Sequence, residues 1–173
     1  MERLFQQIHP EKISDNIFKL IGKDWMLITA GKKDDFNMMT ASWGCAGFLW
    51  SKPVIITFVR PQRLTFEYIE NQPGFTCSFF DDQHKDLLNL CGTTSGRDLN
   101  KMDIDGLTPL ETPSGYVGFE QARLMLACRK IYFDDIKPEL FQAFDLEIIY
   151  PARDYHRMYI GEITQAWERR INA

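Results

Sequence analysis

The sequence predicts a mainly β fold, a closed β-barrel with short covering helices, and three observations point there. Strand-like runs dominate both halves of the chain. The helical stretches are short and do not alternate regularly with strands, which disfavours a doubly wound sheet. Aromatic residues make up 13% of the chain, a content that suits pleated, half-buried surfaces and flat pockets.

The elements can be read in order. Pro10 suits the first position of a short turn or helix. Trp25 to Ala30 is an apolar strand, and the polar stretch Gly31 to Asp35 turns the chain back into a second strand from Phe36 to Trp43. Pro53 to Val59 is β-branched and continuously apolar, so burial on both faces is expected, with Pro53 tolerated only at its start. Leu64 to Asn71 pairs Leu64 with Tyr68 and Thr65 with Ile69 at i,i+4, as a helix does, and Gln72-Pro73-Gly74 stops it. Phe75 to Phe80 alternates as a strand. His84 to Cys91 reads as a helix with Gly92 as its C-terminal cap, and a further helical turn is expected between Arg97 and Met102.

The second half returns to strands. Ala122 to Phe133 is long enough to require a bend or bulge. Lys137 to Phe141 is a short helical insertion, and His156 to Trp167 is a final strand in which Gly161 permits close approach of backbone.

A chain of 173 residues suits one domain, taken as 1–173, with enough buried surface to need neither disulfide nor metal. The net charge of −4 lacks the basic footprint of a nucleic-acid binder. No apolar run approaches the ~20 residues of a membrane span, and the N-terminus lacks the apolar stretch of an export signal. Cys45, Cys77, Cys91 and Cys128 show no C-x-x-C and no zinc spacing, so reduced, mostly buried thiols in a cytoplasmic protein are expected, with no metal site. There is no G-x-G-x-x-G after a strand, so a dinucleotide is not held in the Rossmann manner.

Four segments could carry chemistry. Arg60-Pro61-Gln62-Arg63-Leu64-Thr65 leads from a strand into a helix N-terminus, where free backbone N–H groups, the helix dipole and two arginines suit a phosphate. A solvated loop with ordinary surface arginines is the alternative. Cys91 to Lys101 places two glycines and three hydroxyls beside Arg97 and Lys101, which suits an anion nest or, without any ligand, a helix end followed by a new cap. Asn37 to Trp43 sets small polar residues on a strand that could wall a flat pocket or simply pack. His156, after Asp154-Tyr155, could titrate near neutrality and act on a proton, or serve structure alone.

In this order, the segments resemble the flavin reductase-like family of the FMN-binding split-barrel superfamily, its flavoredoxin branch in particular. The resemblance runs from about Trp25 to Trp167. It rests on Asn37-Met38 with Thr40-Ala41-Ser42-Trp43, Pro53 and its strand, Arg60 to Thr65 with Ile69-Glu70, Phe75-Thr76, Ser95-Gly96-Arg97-Asp98 with Lys101, and His156 with Gly161-Glu162-Ile163. It implies a Greek-key barrel of about six strands, a homodimer, and FMN near the dimer interface. It further implies Met39, Thr40, Ala41 and Ser42 beside the isoalloxazine ring, and Arg60, Gln62, Arg63 and Thr65 around the phosphate and ribityl chain. Ser95, Gly96 and Lys101 would form a second phosphate contact, with the partner subunit as a possible source, and His156 would stand near the flavin face where a nicotinamide stacks.

Three functions follow as expectations. The first is a flavin reductase in which hydride passes from NADH or NADPH to flavin. The second is a non-enzymatic FMN electron carrier serving a redox protein partner, and the third a split barrel that binds another ligand such as haem, with His156 as axial ligand.

Overall fold

A computed structural model describes residues 1–142 and 145–170. Its strands are β1 (Phe5–Ile8), β2 (Met26–Lys32), β3 (Asp35–Ala41), β4 (Gly44–Leu49), β5 (Lys52–Val59), β6 (Gly74–Phe79), β7 (Pro109–Glu111), β8 (Val117–Phe119), β9 (Leu124–Asp135) and β10 (Arg157–Arg169). The α-helices are α1 (Ile17–Lys19), which widens into a π-turn over Leu20–Asp24, α2 (Leu64–Asn71), α3 (Lys85–Thr93) and α4 (Leu146–Ile149).

The main sheet is antiparallel throughout, in the order β3-β2-β6-β9-β10-β5-β4, with β1 added to β10. Its two outermost strands, β3 and β4, are consecutive in the chain and separated only by Ser42 and Trp43. Two residues reach less than about 10 Å at full extension. The edges must therefore meet there, and the sheet curls into a barrel closed at that point by the chain itself.

Alternation along the strands sorts residues to two cores. Met26, Ile28, Phe75, Cys77, Phe79, Leu124, Leu126, Cys128, Tyr159 and Ile163 fill the barrel. Leu27, Met38, Met125, Ala127 and Trp167 face outward and are covered by α3, the β7–β8 ribbon and the segments around them, through Leu88, Cys91, Val117 and Phe119. The sheet is thus buried on both faces over much of its area, so several strands read as continuous apolar runs.

The length of β10, thirteen residues, explains a strand the sequence did not reveal. Its first half pairs with β5, and its end, from Ala166 to Arg169, is free to take β1. The sheet consequently has eight strands rather than about six. The expected bending of the long strand is present as two register shifts between β10 and β9, beside Gly161 and at Thr164.

Other differences have local causes. The run Phe36 to Trp43 is not one strand: it ends at Ala41, and the chain turns through Ser42-Trp43 into β4, whose small residues Gly44, Ala46 and Gly47 gave no strand signal. β5 is not buried on both faces, because Ile55 and Val59 point into the barrel while Ile56 and Phe58 remain half-exposed. Gly92 lies inside the last turn of α3, packed against Thr40, and Thr94 is the cap. Between Arg97 and Met102 the helical turn forms only at the end, over Lys101–Asp103, where the Asn100 side chain accepts from the Met102 N–H. α2 and the short turn Pro138–Leu140 lie where the sequence places them.

A side chain at Gly161 would meet the Phe75 ring at 2.7 Å and Cys128 Cβ at 2.9 Å, both inside the barrel. Gly161→Ala should therefore destabilise the fold by roughly 1–3 kcal/mol, the usual cost of overpacking, measured by urea unfolding with an unchanged slope.

Candidate functional site

β3 is an edge strand, so one of its sides offers backbone groups that no strand takes up. Against this side the chain brings the start of α2, the end of α3 and the turn carrying Lys101. Candidate residues gather at both ends of β3, in two groups.

At the Asn37 end, Asn37 Nδ2 donates to Thr65 Oγ1 at 2.7 Å, both residues being buried. The Thr65 hydroxyl keeps its own hydrogen to donate. Thr65 stands in the first turn of α2, whose N-cap, Arg63, provides no side-chain cap, so the first N–H groups of the helix are left for another acceptor. Gly96 lies against Asn37 so closely that a Cβ there would be 2.3 Å from Asn37 Oδ1. Lys101 is 3% exposed, and its ammonium donates to Met38 O at 3.0 Å and Cys91 O at 2.7 Å. Both partners are backbone carbonyls; among the described residues no carboxylate neutralises it. Burial first, and then the nearby Arg63 guanidinium, pull its pKa down to about 8. Arg63 donates to the same Cys91 carbonyl at 3.1 Å, and burial likewise lowers its pKa. Arg97 reaches Gln62 O at 2.8 Å and pairs with Glu67, while Ser95 Oγ accepts from the Arg97 N–H. One buried and one half-buried cation without a carboxylate partner among the described residues, a free hydroxyl and open helix N–H groups form a candidate anion site.

At the other end, Met39, Thr40, Ala41, Ser42, Trp43, Phe58, Arg60 and His156 line a cavity of about 180 Å³. Thr40 Oγ1 donates to Leu88 O at 2.5 Å, which ties β3 to α3. His156 precedes β10, is 7% exposed, and packs against Trp43 at 5.2 Å and edge-on to Phe58 at 6.5 Å between ring centroids. Its Nδ1 lies 2.9 Å from the Tyr150 hydroxyl. Burial, followed by the Arg60 charge, pushes its pKa down to about 4. The expectation that His156 titrates near neutrality is therefore corrected: the ring is neutral at physiological pH because the protonated form would lose its water and face a guanidinium.

The sequence-derived set is thus divided. Arg63, Thr65, Ser95, Gly96 and Lys101 gather at the anion site. Met39, Thr40, Ala41 and Ser42 share the cavity with His156. Arg60 and Gln62 do not join the phosphate group as expected. Both bind Asp154, Arg60 through Nη1 at 2.5 Å, and Arg60 also donates to Ile149 O at 3.3 Å and lies 5.3 Å above the Tyr150 ring. Burial opposes the Asp154 charge, yet the hydrogen bonds from Arg60 and Gln62 hold its carboxyl below the usual carboxylate range. Nor are Ser95, Gly96 and Lys101 reserved to a partner subunit, since in one chain they already lie near Asn37 and Thr65. Sequence reasoning placed Asn37 and Trp43 in a candidate pocket strand and Asp154 beside His156 without giving them individual roles, and it missed Phe58 and Tyr150 as site residues. Phe58 lies two residues before Arg60, which it had singled out, whereas nothing local marks Tyr150.

The model of the "Flavin reductase like domain" family matches residues 19–172. The chain belongs to that family. No curated protein sequence matches this flavin reductase-like chain. Solved structures do resemble it. A flavoredoxin from Methanosarcina acetivorans shares 20% identity over 91% of this chain and 74% of its own, with a TM-score of 0.66. An FMN-binding domain of a flavin reductase-like enzyme from Shewanella baltica shares 19% over 95% and 76%, with a TM-score of 0.67. An NADH:FAD oxidoreductase from Streptomyces globisporus, solved with NAD and FAD fragments, shares 15% over 85% and 77%, with a TM-score of 0.61. At these identities the likeness is one of fold. No described helix is long and apolar enough to cross a membrane.

The buried, neutral imidazole has a consequence for folding. The unfolded chain protonates His156 below about pH 6.5, while the folded chain resists until about pH 4. Stability is therefore lost as the pH falls through that window, by at most roughly 3 kcal/mol from this residue. His156→Gln should flatten the fall in unfolding free energy between about pH 6.5 and 4, measured by urea titration at several pH values.

Proposed function

We propose that this chain binds FMN along β3 and works as an NAD(P)H-dependent flavin reductase. The observation that carries this reading is the buried Lys101 and the half-buried Arg63, neither paired with a carboxylate among the described residues, beside the start of α2 and joined by one strand to a flat-walled cavity. From Asn37 to Ala41 is roughly 13 Å at ~3.3 Å per strand residue. That separation suits a ligand with an anionic head, a hydroxylated chain and a planar body. The donor set fits FMN: Arg63, Lys101, Thr65 and the α2 N–H groups for the phosphate, with Ser95 and Gly96 closing around it, and Met39 to Ser42 beside the ring.

When bound, the flavin would supply the hydride-accepting N5 on which nicotinamide oxidation depends. The protein's own part is to hold and orient. Lys101 and Arg63 neutralise the phosphate, the Thr65 hydroxyl donates to it, and the unpaired edge of β3 offers backbone groups to the body of the ligand. Trp43 and Phe58 give the cavity apolar walls. His156, being neutral, presents a ring N–H and an apolar face to a stacked nicotinamide rather than a charge.

A homodimer is part of this reading. The outward face of β4, β5, β10 and β9 carries Cys45, Ile56, Ile160 and Tyr132 in one cross-strand row, with Trp50 edge-on to Tyr132 at 6.0 Å. This apolar row continues to Phe58 and the cavity, so a second copy covering it would also border the site.

The deciding measurement is the absorbance spectrum of the purified protein before and after anaerobic NADH or NADPH. Flavin bands that bleach support the reductase. Flavin bands that persist favour an electron carrier, in keeping with the similarity to a flavoredoxin. A protein that takes up no flavin after FMN is added overturns the reading, and a Soret band would replace it with haem.

Two predictions locate the phosphate. Arg63→Ala should weaken FMN binding by ~1.5–3 kcal/mol, read by fluorescence titration. With its pKa pulled down to about 8, Lys101 is about half charged at that pH and loses its charge as the pH rises further, and a bound phosphate would hold its proton to higher pH. FMN affinity should therefore fall as the pH rises above about 8, while riboflavin, which lacks the phosphate, should show no such fall; Lys101→Met should abolish the difference.

A further inference from the structure

Between β9 and β10 the chain brings against His156 one residue, Tyr150, that the sequence pattern did not mark. This segment carries α4 and delivers Tyr150, which is 3% exposed, against the His156 ring at 5.5 Å between centroids. Tyr150 is itself set by its neighbours. Its N–H bonds to Leu146 O at the end of α4, and its ring packs against Tyr155 at 5.0 Å and Phe141 at 6.2 Å. The same ring carries the Arg60 guanidinium. One aromatic side chain therefore touches both Arg60 and His156, two of the residues that line the cavity.

We propose that Tyr150 is a positioning residue, whose hydroxyl fixes the imidazole of His156 in a single neutral tautomer with its hydrogen on Nε2. This deepens the flavin-binding reading and rests on it for its functional meaning, although the tautomer itself does not.

The assignment follows from which groups can donate. A neutral imidazole has one N–H and one bare nitrogen. Burial raises the Tyr150 pKa, so its hydroxyl keeps its hydrogen at physiological pH, and the side-chain partner it faces is His156 Nδ1. A phenol O–H facing Nδ1 at 2.9 Å donates most strongly when Nδ1 is bare, which leaves the hydrogen on Nε2. The charged and titratable groups around the ring are Arg60, Asp154 and Tyr150; Trp43 and Phe58 close other sides. Arg60 opposes an imidazolium and Asp154 favours one, but Asp154 is already engaged by Arg60 and Gln62. The ring thus stays neutral, and the phenol decides which nitrogen is bare. A ligand in the cavity would then meet a donor at Nε2, not an acceptor.

The test is ¹H–¹⁵N multiple-bond spectroscopy of the flavin-free protein. The three histidines are distinguished by comparison with His156→Gln. Wild-type His156 should show a bare Nδ1 and a protonated Nε2, unchanged between about pH 5.5 and 8. In Tyr150→Phe, which keeps the ring under Arg60, the two nitrogen shifts should move toward each other as the tautomers mix. A hydrogen on Nδ1 in the wild type, or a Tyr150→Phe spectrum identical to wild type, would overturn the proposal. Should Tyr150→Phe fail to fold, the wild-type pattern alone decides, because averaged shifts there contradict a fixed tautomer. An FMN titration run alongside tests the flavin reading by itself, so either can fail without the other.

Discussion

Two residues, Ser42 and Trp43, join the opposite edges of the main sheet, and this short reach governs much of what surrounds them. Because β3 and β4 cannot separate at that point, the sheet has to curl, and the barrel interior has to be filled by side chains of the size found there, such as Phe75, Phe79 and Tyr159. The same closure is incomplete. β3 leaves one side unpaired, and α2, α3 and the Lys101 turn gather along it. The cleft is thus a by-product of how the barrel closes: where the chain replaces hydrogen bonds as the closure, backbone is left without a strand partner.

Charge is partitioned along this cleft with some economy. Arg60 has a carboxylate partner, Asp154, and stands beside the cavity as a neutral pair. Arg63 and Lys101 have only carbonyls, and burial presses on both. Burying an unpaired ammonium costs several kcal/mol, and a fold retains it where an anion offsets that cost. The positive end of the cleft is therefore defined less by how many basic residues the sequence places there than by which of them lack an acidic neighbour.

That distinction explains what could be read from the sequence. The periodicity of Leu64–Asn71 and the apolar run of Pro53–Val59 mark α2 and β5, because local pattern decides them. The phosphate-type segments Arg63 to Thr65 and Ser95 to Lys101 were legible because helix starts and glycine-rich turns have local chemistry. β4 was not, since its glycines and alanine are shaped by pairing with β5 rather than by propensity. Arg60 and Gln62 were misplaced because their partner lies some ninety residues on, and no local rule reports an ion pair across that distance. The state of His156 depends on its packing among Trp43, Phe58 and Tyr150, three residues far apart in the chain, so its resistance to protonation below about pH 6.5 emerges only once the chain has folded.

Lys101 also bears on how the chain avoids its own kind. An unpaired strand edge invites other strands, and proteins commonly defend such edges with lysines or covering helices. Here the Lys101 ammonium sits on the Met38 carbonyl and α3 lies along Thr40. The groups proposed to hold a ligand along β3 therefore also guard its backbone against pairing with a neighbouring strand, so that one stretch of edge would serve both ends.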